Sequence, residues 1–326
     1  MSIFSLDILE QELLGAKKIA ITAHIRPDGD SVGSCSALYQ YIIECQNELG
    51  LEQVDVYLEP FGQEFNILSG IDTIRHSFDY DDTYDVLITL DCSSLDRLGD
   101  FVKYFNSAKR TICIDHHITN DYFADVNHVI PDASSTCEVI YDLFVDKRVT
   151  REIARSLYIG IVHDTGVFRH SSTSEKTMEI AASLIGKGID FTKLIDETFT
   201  QKTYAQMKIL GRSLLDSIML MDGKLIASSI SLDTMNFYEV TFTDVDGIID
   251  QLRTTKGTEV ALFIYETDNG NYKISLRSNG VVNVSKIASF FGGGGHVRAA
   301  GCNMRGTVDE IIAEIIPHIE AQLDTQ

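Results

Sequence analysis

The sequence predicts an α/β fold in which an N-terminal, mostly parallel sheet carries helices on both faces and a smaller C-terminal α/β domain follows. Three observations carry this. Short Val/Ile-rich runs alternate with helical stretches through the first half, the pattern of a parallel sheet covered on both sides. After Lys224 the texture changes to closely spaced strand-like runs. The length, 326 residues, exceeds what one hydrophobic core usually holds, so two domains are the default. The expected division is a first domain over 1–195, a helical linker over 196–220 and a second domain over 221–326.

Taken in order, residues 7–18 read as a short amphipathic helix and 18–23 (KIAITA) as a buried strand. Asp28-Gly29-Asp30-Ser31 is a loop. From Ser31 to Leu49, Cys35, Leu38, Ile42, Cys45 and Leu49 fall on one helix face. Strands are expected over 54–58, 85–90 and 111–114. Ser135-Thr136-Cys137-Glu138 has the form of a capping box that opens a helix reaching Val145. Residues 150–162 and 174–186 read as helices, the second stopped at Gly186-Lys187-Gly188. A polar helical pattern over 196–216 is expected to bridge the two halves. The runs LIASSISL, EVALFIYET and YKISLRS read as strands, followed by a helix near 285–290, a glycine run and a terminal helix over 308–323.

Composition excludes several classes. The hydrophobic share, 44%, is that of a soluble globular protein, and apolar runs such as Val86 to Leu90 are far too short to span a bilayer. The first 18 residues lack the basic-then-apolar order of a signal peptide, so a cytoplasmic location with no membrane attachment is expected. Cys35, Cys45, Cys92, Cys113, Cys137 and Cys302 form no C-x-x-C pair and read as reduced core thiols rather than zinc ligands. A formal net charge of -21 argues against binding long nucleic acids, which need many basic contacts to phosphate. It is compatible with a local basic pocket, and clustered acids are compatible with bound divalent cations.

The chemistry gathers at strand ends. The first strand is followed by His24, Asp28 and Asp30. The third ends at Asp91, and the fourth at Asp115-His116-His117. Asp164 closes the apolar run in GIVHDTGVF. In open α/β sheets, ligands bind beyond the carboxyl ends of the strands. Each piece has a plainer explanation alone: Asp-Gly-Asp is a turn, Asp91 a helix cap, a single histidine a structural residue. Together they would leave several acids at buried strand ends without compensation, which is costly unless they are paired or metal-bound. Imidazole plus carboxylate without thiolate suits manganese or magnesium. Two such ions roughly 3.5 to 4 Å apart can activate a water and clamp a phosphate ester. One carboxylate must bridge them, and Asp91 is central enough to do so. A second signature, Gly292-Gly293-Gly294-Gly295-His296-Val297-Arg298-Ala299-Ala300-Gly301, allows close backbone approach to an anion, with His296 and Arg298 as added donors.

The ordered set His24-x-x-x-Asp28-x-Asp30, Asp91, Asp115-His116-His117 and Asp164 resembles the four motifs of the DHH phosphoesterases, and the GGGGH run resembles the motif of the DHH-associated C-terminal domain. The resemblance covers nearly the whole chain. It implies that His24, Asp28 and Asp91 hold one divalent cation, and that Asp30, Asp91, His116 and Asp164 hold another. His117 would then face the substrate phosphate, and Asp115 would orient a neighbouring imidazole. Asp91, Asp115 and His117 are thus the catalytic candidates. The implied substrate contacts are Gly293, Gly294, Gly295, His296 and Arg298, with Arg277 and Ser278 on a strand that looks like the one near the family's substrate. Arg97 matches a position that contacts phosphate, with a solvated helix-end arginine as the alternative. Ser135 and Thr136 either touch the ligand or cap their helix, capping being the expected role. His163 is expected to stand behind the ligands, His170 has no assignment, and His76, His128 and His318 are expected to be structural or at the surface.

Among relatives, the chain lacks the transmembrane and sensor segments of the membrane-bound members and the length of the RecJ-type exonucleases. It is similar to the stand-alone bacterial enzymes that act as nanoRNases, as pAp phosphatases, or as cyclic di-AMP and pApA phosphodiesterases. The resemblance implies an active site in the cleft between the domains, two manganese ions (magnesium or cobalt as alternatives), short oligonucleotide or nucleotide substrates, and a homodimer. Two rivals stand beside it. A pyrophosphatase on the same N-terminal architecture would carry a different basic C-terminal signature, and a non-catalytic nucleotide-binding module should have lost ligands that are all present here.

Overall fold

The computed structural model describes residues 11–77, 82–268 and 270–323. The chain divides into two compact units, one ending at Gln201 and the other beginning at Lys202. The expected helix over 7–18 lies partly outside the described residues; within them, 11–13 is helical.

The first unit is built on five parallel strands: β1 (Lys18–Thr22), β2 (Gln53–Tyr57), β3 (Val86–Leu90), β4 (Arg110–Asp115) and β5 (Val126–Val129), in the order β2-β1-β3-β4-β5. Side chains alternate between its faces. Ile19, Ile21, Ile88, Leu90, Ile112 and Ile114 join a core formed with helices α1 (Gly29–Leu49), α3 (Thr136–Leu143), α4 (Arg151–Asp164) and α5 (Glu175–Gly186). Ala20 and Leu87 face the other way, against Leu98, Phe101 and Tyr104 of a 3-10 turn (Leu95–Phe101) and the short helix α2 (Val102–Ser107). The strand order reverses beside β1, which lies between β2 and β3, and doubly wound sheets place ligands at this switch point.

Helices α1 and α4 cross closely because glycines meet there. A Cβ at Gly33 would lie 2.6 Å from Ser156 O, and one at Gly160 would overlap Cys137 Sγ and lie 2.7 Å from Asp30 Oδ1. Ser174 and Thr177 close a reciprocal cap on α5. The capping box expected at Ser135 is only half made. Ser135 Oγ accepts from the Glu138 N–H at 3.0 Å, but Glu138 turns inward, its carboxylate accepting from Ser134 Oγ and Thr177 Oγ1, each at 2.7 Å. After α6 (Phe191–Ile195) the chain makes a π-helical turn, Asp196–Thr200.

The second unit begins with α7 (Tyr204–Leu215), which carries most of the helical pattern expected over 196–216. Its Ile209 is buried against Ile226 and Phe263, within the second unit's own core. The six-stranded sheet runs β10-β11-β9-β8-β7-β6, with β6 (Ile218–Leu220), β7 (Leu225–Ile230), β8 (Val260–Asp268), β9 (Asn271–Ser278), β10 (Gly294–His296) and β11 (Ala299–Arg305). Only β7 and β8 pair in parallel. One face packs on α10 (Val284–Phe290) and α11 (Val308–Leu323), the other on α7, α8 (Leu232–Tyr238) and α9 (Ile248–Arg253). The glycine run is thus not all loop, since its centre pairs as β10 with β11. No helix among the described residues is long and apolar enough to cross a membrane. All six cysteines are buried and free.

Candidate metal centre

The centre is assembled from the ends of three strands and the starts or ends of three helices. β1 delivers His24, only 8% exposed in its side chain, and its Nδ1 lies 2.7 Å from Ile25 O, leaving Nε2 to point inward. Asp28 is the N-cap of α1, accepting from the Asp30 and Ser31 N–H groups at 3.1 Å each. Asp30 lies in the first turn of that helix and is fully buried. Its carboxylate accepts the N–H groups of Thr136 and Cys137, at 2.6 and 2.9 Å, so it also sits on the amino end of α3.

Asp91 follows β3 with φ +52°, a left-handed backbone that few non-glycine residues adopt. The bend turns its carboxylate into the centre, where it is 2% exposed. Ser31 Oγ donates to Oδ2 at 2.7 Å and Thr136 Oγ1 to Oδ1 at 3.3 Å. Three imidazoles face it: His24 Nε2 at 3.5 Å, His116 Nε2 at 3.6 Å and His117 Nδ1 at 3.6 Å.

β4 ends in Asp115, completely buried. One oxygen lies 2.7 Å from His117 Nδ1 and the other accepts from Asn120 Nδ2 at 2.7 Å. Burial pushes the Asp115 carboxyl up, but these partners outweigh it and hold it below the ordinary carboxylate range. His116 lies against Ala133 O through Nδ1 and against Asp164 through Nε2, at 3.3 and 3.1 Å. Asp164 is the last residue of α4.

The electrostatics of the cluster point to what it lacks. Burial disfavours the cationic forms of His24 and His116. Asp28 and Asp91 around the first, and Asp164, Asp30 and Asp91 around the second, override this and push each to about 10. Burial, together with neighbouring carboxylates, raises Asp164 to about 6 and Asp30 well above its ordinary value. Four carboxylates crowded together, those of Asp28, Asp30, Asp91 and Asp164, are what a divalent cation relieves. The donor atoms also converge: Asp91, His116 and His117 form one group within 4.8 Å, His24, Asp28 and Asp91 a second, and Asp30, His116 and Asp164 a third. Asp91 and His116 are each shared between two groups. The residues fit two closely spaced divalent ions, and all seven come from the motifs singled out in the sequence.

Arg97 stands at the rim, its carbonyl accepting the Ile25 N–H at 2.8 Å. Sequence reasoning missed Asn120 and preferred a capping role for Thr136 over one at the site. Thr136 supplies its N–H to Asp30 and its hydroxyl to Asp91, while Ser135 does the capping. An asparagine three residues beyond His117 was the available sign for Asn120.

In the second unit, the other expected residues share one corner of the sheet. Gly294, Gly295 and His296 pair with Gly301, Ala300 and Ala299, Arg277 pairs with Ala299, and the Ser278 N–H donates to Arg298 O at 2.9 Å. His296 and Arg298 are exposed. The Arg277 Nε lies 3.2 Å from Asp250 Oδ1. Ser278 is 4% exposed and its hydroxyl has no hydrogen-bond partner among the described residues, so its side chain lies within the sheet's packing.

A doubly wound sheet whose switch point gathers imidazoles and carboxylates, without thiolate, is the framework of a metal-binding α/β protein. Residues 18–161 match the DHH family, N-terminal domain, and residues 222–323 match the DHHA1 domain. The chain belongs to the DHH phosphoesterases that carry both, enzymes that hydrolyse phosphate esters. It is 29% identical to the bifunctional oligoribonuclease and PAP phosphatase NrnA of Thermus thermophilus, over 94% of this chain and 90% of that one. It is 26% identical to the Bacillus subtilis protein of the same name, over 91% and 93%. The crystal structure of an exopolyphosphatase-related protein from Bacteroides fragilis superposes with a TM-score of 0.88 at 26% identity, covering 97% of this chain and 95% of that one.

Proposed function

We propose that this chain is a two-metal phosphoesterase that releases mononucleotides from very short oligoribonucleotides and the terminal phosphate from PAP. The observation that carries the reading is Asp91, one carboxylate shared by a ring of imidazoles and acids in the arrangement of a bridging ligand. The names of the relatives, which span nearly this whole chain, supply the substrate class.

In this reading His24, Asp28 and Asp91 hold one cation, and Asp30, Asp91, His116 and Asp164 hold the other, manganese being the ion the donor set favours. When bound, such a pair lowers the pKa of water toward neutrality and screens charge on the phosphoryl oxygens. The remaining work belongs to the chain. Asp115 fixes the His117 ring through Nδ1, which leaves Nε2, on a ring 37% exposed, to meet a phosphate oxygen. Arg97 is a cationic group of the first unit, and His296 and Arg298 are exposed donors of the second. The glycine run offers N–H groups that suit an anion. A net charge of -21 fits a substrate with few phosphates better than a polymer.

The test is incubation with manganese and a panel of PAP, pApA, cyclic di-AMP and a short RNA, products being resolved by chromatography. AMP from pApA or RNA, and AMP with phosphate from PAP, is the expected result, and Asp91→Ala should abolish both. No product from any of the panel, or wild-type rates from Asp91→Ala, would overturn the reading.

A further inference from the structure

His163 is not among the seven ligand candidates, yet its ring is wedged against the metal centre's frame. It precedes Asp164 on α4, and its imidazole lies so close to Gly29 that a Cβ there would overlap the ring. Gly29 is the residue between Asp28 and Asp30. The ring is flanked by Phe65 and Phe199, with centroids 5.1 and 5.4 Å away. Its Nε2 is 3.3 Å from Thr198 Oγ1. The Thr198 hydroxyl donates its own hydrogen to Leu194 O at 2.8 Å, so toward His163 it accepts from Nε2–H. Thr198 and Phe199 lie in the π-helical turn Asp196–Thr200, closed by the Gln201 N–H on Asp196 O at 2.8 Å. Gln201 is the last residue of the first unit. π turns are uncommon and concentrate at functional positions.

We infer that His163 is a positioning residue that couples the turn at 196–201 to the Asp28-Gly29-Asp30 loop, so that the conformation of this segment sets the affinity of the metal centre. The inference rests on the two-metal reading above. Gly29 has little room to retreat from the ring. Asp28 is committed to capping α1, and Asp30 to the amino end of α3, so a shift of the ring passes to the two carboxylates. The same shift acts on Asp164, the next residue along the helix. Packing alone would be satisfied by any flat ring of this size, whereas coupling also needs the hydrogen bond to Thr198.

Five chains separate the two: wild type, His163→Phe, Thr198→Val, the double variant and His163→Gln, each titrated with manganese by electron paramagnetic resonance and melted without metal. The expected result is a loss of manganese affinity of about tenfold to a hundredfold in either single variant, as for other residues that orient metal ligands. The double variant should be no weaker than the weaker single, because one bond is removed from either side. Metal-free unfolding temperatures should stay close to wild type, and His163→Gln, whose amide can donate to Thr198, should recover part of the affinity. Wild-type affinity in both single variants overturns the coupling, as does a loss that merely follows the unfolding temperature. A wild-type chain that binds no manganese overturns the metal reading itself, and the coupling with it.

Discussion

The Nδ1 of His117 lies 2.7 Å from Asp115 Oδ1, and the carboxylate is completely buried and anchored on its other oxygen by Asn120. A charge held this rigidly selects one tautomer of the ring and one direction for Nε2. Asp115→Asn keeps the shape but removes the charge that selects the tautomer. Turnover of PAP should fall about tenfold to a hundredfold, with KM and manganese affinity little changed. An unaltered kcat would show that His117 needs no such orientation.

The crossing of α1 and α4 admits no methyl group at Gly160, where a Cβ would meet Cys137 Sγ and approach Asp30 Oδ1. Gly160→Ala should destabilise the chain by about 1–3 kcal/mol through overpacking, read by chemical denaturation. It should also weaken manganese binding, because the displaced atom belongs to a ligand candidate. Loss of stability without loss of affinity would mean that the strain is absorbed on the Cys137 side.

The glycines of the second unit are not equivalent. A Cβ at Gly293 would run into Gly301 O, and one at Gly295, where φ is +142°, would lie 2.5 Å from Ala299 O. Around Gly294 nothing lies within 4 Å. Gly293→Ala and Gly295→Ala should therefore disturb the pairing of β10 with β11 and lower the unfolding temperature. Gly294→Ala should fold normally but raise KM if the substrate approaches this backbone. A Gly294→Ala enzyme with wild-type KM would remove this segment from the substrate site.

Metal and protons compete for the same imidazoles. In the metal-free chain His24 and His116 are pushed up to about 10. Their stabilising contribution is complete below the ordinary value of 6.5 and is lost as pH climbs through about 10. Manganese requires the neutral rings, so binding should release protons across that interval, and apparent affinity should rise with pH. Calorimetric titration in buffers of different ionisation enthalpy measures the release. The melting temperature of chelator-treated protein should fall from about pH 6.5 to about pH 10 on account of these rings, while manganese-loaded protein should hold. A gap between the two curves that does not widen with pH would count against His24 and His116 as ligands.

How much of this was legible in the sequence depends on the range of the interaction. The parallel strands were readable because a doubly covered sheet needs unbroken apolar runs, as in Val86–Leu90. The gathering of the candidate ligands was readable because strand ends fix where His24, Asp91 and Asp115 emerge. β5 escaped notice because its four residues, VNHV, are only half-buried and carry no such run. The allegiance of α7 was hidden too, since its polar texture does not reveal that Ile209 packs on Ile226 and Phe263. Ser135 and Thr136 show the same limit: local spacing identified the cap, but only the fold brings Thr136 to Asp30 and Asp91, 106 and 45 positions away.

The left-handed backbone at Asp91 restricts what could ever replace it. Positive φ favours glycine, asparagine and aspartate, and a shared ligand requires a negative oxygen pair. Those two requirements overlap in a single amino acid. Glutamate has the charge but adds a methylene and lacks the side-chain–backbone compatibility that lets aspartate rest there. Asparagine has the backbone but not the charge. On the proposed two-metal reading, no other amino acid at this position would supply both the backbone and the shared ligand.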